Sequence, residues 1–243
     1  TVGVTRHIEQ CAAGDLMKKE LDYLGQVTEH PDTPFVAILG GAKVSGKIDM
    51  IKSFLPKVDK ILIGGGMAYT FYKVKGMEIG SSLLEKDKLD IAASILEQGA
   101  EKIVLPVDCL VSDIFDFNAR KIGRIVEVSA DDIPEAAFGL DIGPKTLALF
   151  RDTLQDARTI VWNGPMGVFE IDQTARGTLS VAEVLAELTL KGATTVIGGG
   201  DSASAAHRAG VADKVSHVST GGGAALAFME GKTLPAVAAL TDK

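Results

Sequence analysis

The chain has 243 residues, of which 46% are hydrophobic, enough for one large α/β domain or two small ones. Its formal net charge of −7 argues against nucleic acid as the main partner, so any phosphate binding must come from local geometry rather than a basic field. There is no signal segment and no apolar run long enough to span a membrane, so no membrane partner is expected. Cys11, Cys109 and the four histidines lack metal-ligand spacing, which fits free thiols in a reducing, cytoplasmic setting.

The first residue is Thr1 rather than Met, and the sequence is accordingly expected to be a fragment. Residues 1–13 show little periodicity and are expected to be a linker, leaving residues 14–243 as one domain. Asp15 is positioned to cap a helix running to about Leu24, with Met17, Leu21 and Leu24 on one face. A regular alternation then begins. Residues 35–39 form a short apolar run rich in strand formers, stopped by Gly40-Gly41, and a helix start carrying Lys43 and Lys47 follows, with Ile48, Ile51 and Leu55 inward. A strand over 60–63 ends in Gly64-Gly65-Gly66, and Met67 to Tyr72 turns helically. A helix near 90–98 feeds a strand over 102–105. Residues 108–132 break the rhythm, with β-like pieces near 108–112 and 124–128 that suggest a small excursion from the main sheet.

The rhythm resumes with a helix over 144–154, a strand over 159–162 and a long helix over about 174–190. A strand over 194–197 leads into Gly198-Gly199-Gly200-Asp201 and a helix to about Ala209, and a strand over 215–219 leads into Gly221-Gly222-Gly223 and a helix from Ala224. The mildly apolar tail from Leu234 is expected to close over another surface. Six strand–helix alternations predict a doubly wound parallel sheet covered on both faces. A closed eight-strand barrel is the rival, with too few strong strands for it.

In a parallel sheet every strand ends on one edge, and ligands bind in the crevice there. Any single glycine turn is structural by default. Four strands ending in glycine doublets or triplets, with Asn163-Gly164-Pro165 after a fifth, suit a ligand that meets backbone at several points, as a nucleotide polyphosphate does. Gly41 to Lys47 matches the start of a P-loop, but Ile48 stands where that motif needs Ser or Thr, and the match is read as accidental. No G-x-G-x-x-G follows the first strand, which weakens a dinucleotide-dependent oxidoreductase reading; a nucleotide-binding scaffold without chemistry is a further alternative. Lys43 and Lys47 are either solvated lysines on a first helical turn or an anion clamp, and cations there oppose the helix dipole unless an anion sits between them. Asp201 either caps the next helix or faces a magnesium ion. Glu170, after Val168-Phe169, is either an early-helix carboxylate or a holder of ribose hydroxyls. Trp162 is read as core.

The stretches LMKKELDYL, FVAILGGAKVSGKI, ILIGGGMAYTF, EIGSSL, LPVD, GLDIGP, VWNGPMGVFE, VIGGGDSASA and SHVSTGGGAALAFMEGK, in that order, resemble the C-terminal, nucleotide-binding half of phosphoglycerate kinase. The resemblance implies a Rossmann-like, three-layer α/β/α fold with a six-stranded parallel sheet that binds ADP or ATP with Mg2+. It implies that Lys43 faces the transferring phosphoryl group and Lys47 the nucleotide phosphates, that Asp201 is the magnesium residue with Ser202 beside it, and that Glu170 holds the ribose. Asn163 and Pro165 would flank the nucleotide, and Gly64, Gly65, Leu83, Leu140 and Val168 would form the adenine cleft. Gly40, Gly41, Ala42, Gly139 and Gly167 are implied nucleotide contacts, and Gly199, Gly200, Gly221 and Gly222 would lie by the phosphates and the transfer zone. Gly46 departs from the family, which usually has Asp there, and the loss of that carboxylate bears on how Lys47 is oriented. Family enzymes exchange a phosphoryl group between 1,3-bisphosphoglycerate and ADP in glycolysis. Phosphoglycerate is expected to bind through an N-terminal half that this sequence lacks; residues 1–4 look like the end of the interdomain connection and residues 16–24 like the hinge helix. The expected fragment is a monomer that binds nucleotide without turning over.

Overall fold

The computed structural model describes residues 2–241. The chain opens with two helices, α1 (Val2–Thr5) and α2 (Asp15–Glu29). The alternating part follows as β1 (Phe35–Leu39), α3 (Ile48–Phe54), β2 (Lys60–Ile63), α4 (Met67–Val74), α5 (Leu89–Gln98) and β3 (Ile103–Val104). An excursion of five strands comes next: β4 (Asp108–Ser112), β5 (Phe115–Asp116), β6 (Lys121–Ile122), β7 (Ile125–Ser129) and β8 (Phe138–Ile142). The alternation then returns as α6 (Pro144–Leu154), β9 (Thr159–Asn163), α7 (Arg176–Leu190), β10 (Thr194–Gly198), α8 (Gly200–Arg208), β11 (His217–Val218), α9 (Gly223–Met229) and α10 (Pro235–Ala238).

Six of these strands form a parallel sheet in the order β11-β10-β9-β1-β2-β3. The sheet is open, so the barrel alternative falls. All five residues of β1 are buried, because helices cover both faces. Alternate side chains serve two cores. Phe35, Ala37 and Leu39 pack with α2, α3, α4, α5 and α9; Val36 and Ile38 pack with α6, α7 and α8. Trp162 lies fully buried in the second core and donates its indole N–H to Gly164 O at 2.8 Å. Burying a side chain of that class contributes about 1.5–3 kcal/mol.

Several local expectations need correction. Within residues 1–13, expected to be a linker, α1 occupies Val2–Thr5. Asp15 is the first residue of α2 rather than its cap; Gly14 precedes the helix and makes no side-chain cap bond. α2 also continues to Glu29, because Leu24, Val27 and Thr28 form its buried stripe. No helix starts after Gly41. A single 3-10 turn (Val44–Gly46) intervenes, and α3 begins only at Ile48, with Met50, Ile51 and Phe54 as its buried face. The excursion holds three strands more than the two its pattern indicated: β5, β6 and β8. β8 pairs with β4 opposite β7, and its sequence FGLDI hides the strand because glycine and aspartate interrupt the apolar run. The edge strands β3 and β11 are two residues long, shorter than their apolar runs. At the tail, Thr241 and Cys11 exchange two hydrogen bonds of 2.9 Å, and Leu234 and Val237 line a groove with α2 and α9. Both cysteines are free, and among the described residues no helix is long and apolar enough to cross a membrane.

Candidate nucleotide site at the switch point

β1, β2 and β3 are laid down outward in one direction; the chain then returns to the other side of β1 and adds β9, β10 and β11. The junction of β1 and β9 is therefore the topological switch point, where the loops that leave the two strands diverge and open a crevice. The crevice walls touch at their base. Gly40 N–H donates to Asn163 O at 3.0 Å and Gly41 N–H to Pro165 O at 2.8 Å. A Cβ on Gly40 would stand 2.2 Å from Pro165 O, and one on Gly164 2.2 Å from Gly40 O, so only glycine permits this approach.

On one side of the junction lies a polar cradle of about 240 Å³, lined by Gly40, Gly41, Ala42, Lys43, Gly46, Lys47, Asn163, Gly164, Pro165, Gly199, Gly200, Asp201 and Ser202. Lys43 precedes the 3-10 turn and is exposed, with no hydrogen-bond or ion-pair partner among the described residues. Lys47 immediately precedes α3 and donates to Asn163 Oδ1. Burial pulls its ammonium below the usual lysine range, against the opposing pull of the Asp201 and Glu230 charges. The Nδ2 of Asn163 is buried without a partner among the described residues, next to Gly198 and Gly199. A buried donor left unpaired costs about 1–3 kcal/mol, so the cradle offers it to an acceptor. Beyond the backbone of Gly41 and Gly200, where a Cβ would point, there is open space. The donors and that space suit the oxygens of an anion.

Asp201 lies in the first turn of α8, exposed toward the cradle, and makes no capping hydrogen bond; the cap position is Gly199 at φ +88°. The plain helix-cap reading of Asp201 therefore fails. Ser202 behaves differently from its neighbour. It is fully buried, and its Oγ accepts the Gly164 N–H at 2.6 Å, tying the β9 and β10 loops together.

On the other side lies an apolar cleft of about 420 Å³ that includes Leu83, Leu140, Val168, Met166 and Tyr69, together with Gly65, Gly139 and Gly167. It meets the cradle through shared Gly41, Ala42, Pro165 and Asp201. Glu170 stands on its rim, in a turn rather than on a helix, so the early-helix reading of that carboxylate does not hold. The Arg208 guanidinium grips Phe169 O and Asp172 on either side of it.

Two sequence expectations sit elsewhere. Gly64 lines neither cavity; a Cβ there would stand 2.4 Å from Met166 Sδ, so it serves packing. Gly222 also lines neither, lying with Gly221 at the β11 end of the same sheet edge. The loop that carries them is held by Glu20 of α2, whose carboxylate accepts from Thr220 N–H at 2.6 Å, Ser219 Oγ at 2.8 Å and Thr220 Oγ1 at 2.9 Å, with His217 Nε2 at 3.1 Å. Burial alone would raise the Glu20 carboxyl, but those hydrogen bonds outweigh it and hold the group below the usual range.

The sequence reading missed an aromatic wall. Phe115, Phe117 and Phe138 line the cleft, with ring centroids 6.4 Å apart for Phe115–Phe117 and 6.1 Å for Phe115–Phe138. The pair in FDF was the available signal, on a two-residue strand too short to show a period. Asp141 was missed as well. It lies behind Gly167, 3% exposed, with Oδ2 accepting the Gly177 N–H at 2.7 Å and Oδ1 unpartnered. Burial pushes its carboxyl up to about 7, against hydrogen bonds from the Gly177 and Ile142 backbone.

A family model described as phosphoglycerate kinase matches residues 1–232. The phosphoglycerate kinase of Lacticaseibacillus casei strain BL23 is 54% identical over 242 residues, covering all of this chain and 59% of the relative. That of Koribacter versatilis strain Ellin345 is 56% identical over 248 residues, covering all of this chain and 60% of the relative. Among solved structures, phosphoglycerate kinase from Coxiella burnetii superposes with a TM-score of 0.90 at 40% identity over 98% of this chain and 61% of its own. The enzyme from Pyrococcus horikoshii OT3 gives 0.83 at 33% identity over 98% of this chain and 59% of its own. The chain thus spans about three fifths of the length of the curated relatives it matches.

Proposed function

The chain belongs to the phosphoglycerate kinase family, and on that premise we propose that it is the part that binds ADP or ATP with Mg2+. The reaction would be reversible phosphoryl transfer between 1,3-bisphosphoglycerate and ADP. One observation carries this reading: an apolar cleft with an aromatic wall runs into a polar, lysine-bearing cradle at the switch point of the sheet. A nucleotide has the same two ends.

In this reading the base lies against Leu83, Leu140, Val168 and the phenylalanines, Glu170 on the rim takes the ribose hydroxyls, and the phosphates enter the cradle. Lys47 and the free Nδ2 of Asn163 hold resting phosphate oxygens. Lys43, without a partner of its own, follows the phosphoryl group as it moves, with Gly200 and Gly222 near the transfer zone. Such a reaction is driven by positioning and charge stabilisation. Asp201 would hold magnesium, which supplies charge neutralisation on the phosphates. A single carboxylate fits that ion, which is usually bound by one or two carboxylates plus phosphate oxygens and water.

The relatives are longer by about two fifths of their length, and we assign phosphoglycerate binding to that additional part. Residues 1–13 then connect to it, residues 14–243 form the nucleotide domain, and the setting is cytoplasmic with this chain a monomer. Alone, the chain binds Mg-ADP and does not turn over, because proximity between two substrates can account for roughly 7–11 kcal/mol of a barrier. The test is calorimetric titration of the chain with Mg-ADP and with NAD, followed by a coupled ATP-forming assay. Binding of Mg-ADP without turnover is expected. Binding of NAD alone would favour the oxidoreductase alternative, and turnover at the rate of an intact relative would mean that the missing substrate site has been misassigned.

A further inference from the structure

Between the two lysines of the cradle stands Ser45, the one residue of the 3-10 turn Val44–Gly46 whose side chain hydrogen-bonds to another element among the described residues. That partner is Glu85. Its Oε1 accepts the Ser45 hydroxyl at 2.5 Å, and its Oε2 accepts the Ser45 N–H at 3.0 Å. Both bonds are charge-assisted and together they fix the direction of the turn, which a single bond would not. Glu85 is itself anchored, its N–H donating to the Oγ1 of buried Thr70 on α4 at 3.3 Å.

Two residues before Glu85 is Leu83, on the wall of the apolar cleft. The same loop therefore touches both ends of the site. A Cβ on Gly66 would stand 2.9 Å from Ala42 O and 3.2 Å from Leu83 Cδ2, so the cleft wall and the residue before Lys43 converge on one spot. The turn is pinned from below by Val44, fully buried in the first core, and at its end by the Lys47 bond to Asn163; its outer side is held by Glu85. Val44 is its buried residue, while Ser45 and Gly46 are exposed, and a Cβ on Gly46 would meet nothing within 4 Å.

From this we infer that Glu85 is a positioning residue: its two-point grip on Ser45 sets where Lys43 and Lys47 stand, and it links the nucleobase wall at Leu83 to the phosphate-binding turn. The inference rests on the nucleotide reading and extends it to a residue outside both cavities. A rigid turn presents two ammonium groups in one arrangement; a loose one averages their field over solvent and loses affinity for an anion that needs both at once.

The experiment titrates this chain with Mg-ADP, adenosine and magnesium pyrophosphate, comparing wild type with Glu85→Gln, Ser45→Ala and the double variant. Glu85→Gln keeps the shape of the side chain and removes the charge. It is expected to weaken Mg-ADP and pyrophosphate about five- to tenfold, on the scale of a charge-assisted hydrogen bond reduced to a neutral one, and to leave adenosine within about twofold. Ser45→Ala removes the hydroxyl bond of the same link and keeps the backbone N–H bond, so its effect should be the smaller one and the double variant no weaker than Glu85→Gln alone; Ser45→Ala serves by itself if Glu85→Gln does not fold. Hydrogen exchange at residues 44–47 should quicken in each variant. Unchanged affinity for the phosphate-bearing ligands would overturn the inference, as would equal weakening of adenosine, which would mark a general loosening of the loop. A wild-type chain that takes up none of the three ligands would refute the nucleotide reading itself, a result distinct from either of these.

Discussion

Replacing Asp141 by Asn is expected to stabilise the fold at pH 8 and to leave it unchanged near pH 4. The carboxyl is buried behind the cleft, holds the first turn of α7 through Gly177 N–H, and is pushed up to about 7 by that burial. In the unfolded chain the same group titrates near 3.9. The fold therefore binds this proton more tightly than the unfolded chain does. Below about pH 4 both states are protonated and nothing is lost; as pH rises the unfolded state gains free energy of ionisation that the folded state gains only above about 7. The interval is about three pH units at about 1.4 kcal/mol each, which bounds the penalty at about 4 kcal/mol. Asn carries no charge, keeps an acceptor for Gly177 N–H, and sets an amide NH2 where the protonated acid sets its O–H, so the two side chains are alike at low pH and differ once the acid ionises. Urea unfolding at pH 4, 5, 6, 7 and 8 measures the difference between the two proteins, in which every other titrating group cancels. A gain of about 1–3 kcal/mol at pH 8, shrinking to zero at pH 4, is expected. Parallel curves, or a variant less stable at pH 8, would refute the reasoning.

Two further changes probe the two ends of the site. Asp201→Asn should weaken Mg-ADP much more than metal-free ADP in calorimetric titration, since that carboxylate makes no helix cap whose loss would weaken both alike. Phe117→Ala should weaken ADP by roughly three- to fivefold and leave pyrophosphate unchanged; stacking of a base on an aromatic ring contributes about 1–3 kcal/mol, and Phe117, 52% exposed, belongs at the low end.

The fold was legible in the sequence wherever burial produced a pattern. β1 is an apolar run of five residues and β2 one of three led by Lys60, both closed by glycine, and their bounds match the expectation. α6 does too, because Pro144 starts it. Legibility failed where a segment's role depends on distant partners. FGLDI becomes β8 only because β4 needs a second neighbour, and nothing local announces it. The lysine-bearing turn reads as helix by periodicity, but the Gly41 N–H to Pro165 and the grip of Glu85 on Ser45 hold it out of helical geometry. Among the candidate residues, those on the β1, β9 and β10 loops come together in the cradle, since all three strands end at the switch point. Gly64 and Gly222 do not, because the glycine answers to packing against Met166 at the first and to a φ of +50° at the second, and neither signal names a ligand. The aromatic wall comes from an excursion far from the glycine loops in sequence and carries no motif of its own.

The placement of the two lysines has an electrostatic consequence. Lys47, at the N-cap of α3, still opposes that helix's dipole, while Lys43 stands before the 3-10 turn and off it; α8, nine residues long and led by Gly200 and Asp201, also brings its N-terminus to the cradle. Its positive end adds to the lysine field and at the same time stabilises the Asp201 carboxylate. The cradle thus combines two ammonium groups, a helix N-terminus and an unpaired amide donor with one exposed carboxylate. A bare polyphosphate would meet attraction from four groups and repulsion from one. A divalent ion between the phosphates and Asp201 would turn that one repulsion into a bridge, which is why the same pocket should prefer a metal-bound nucleotide to a free one.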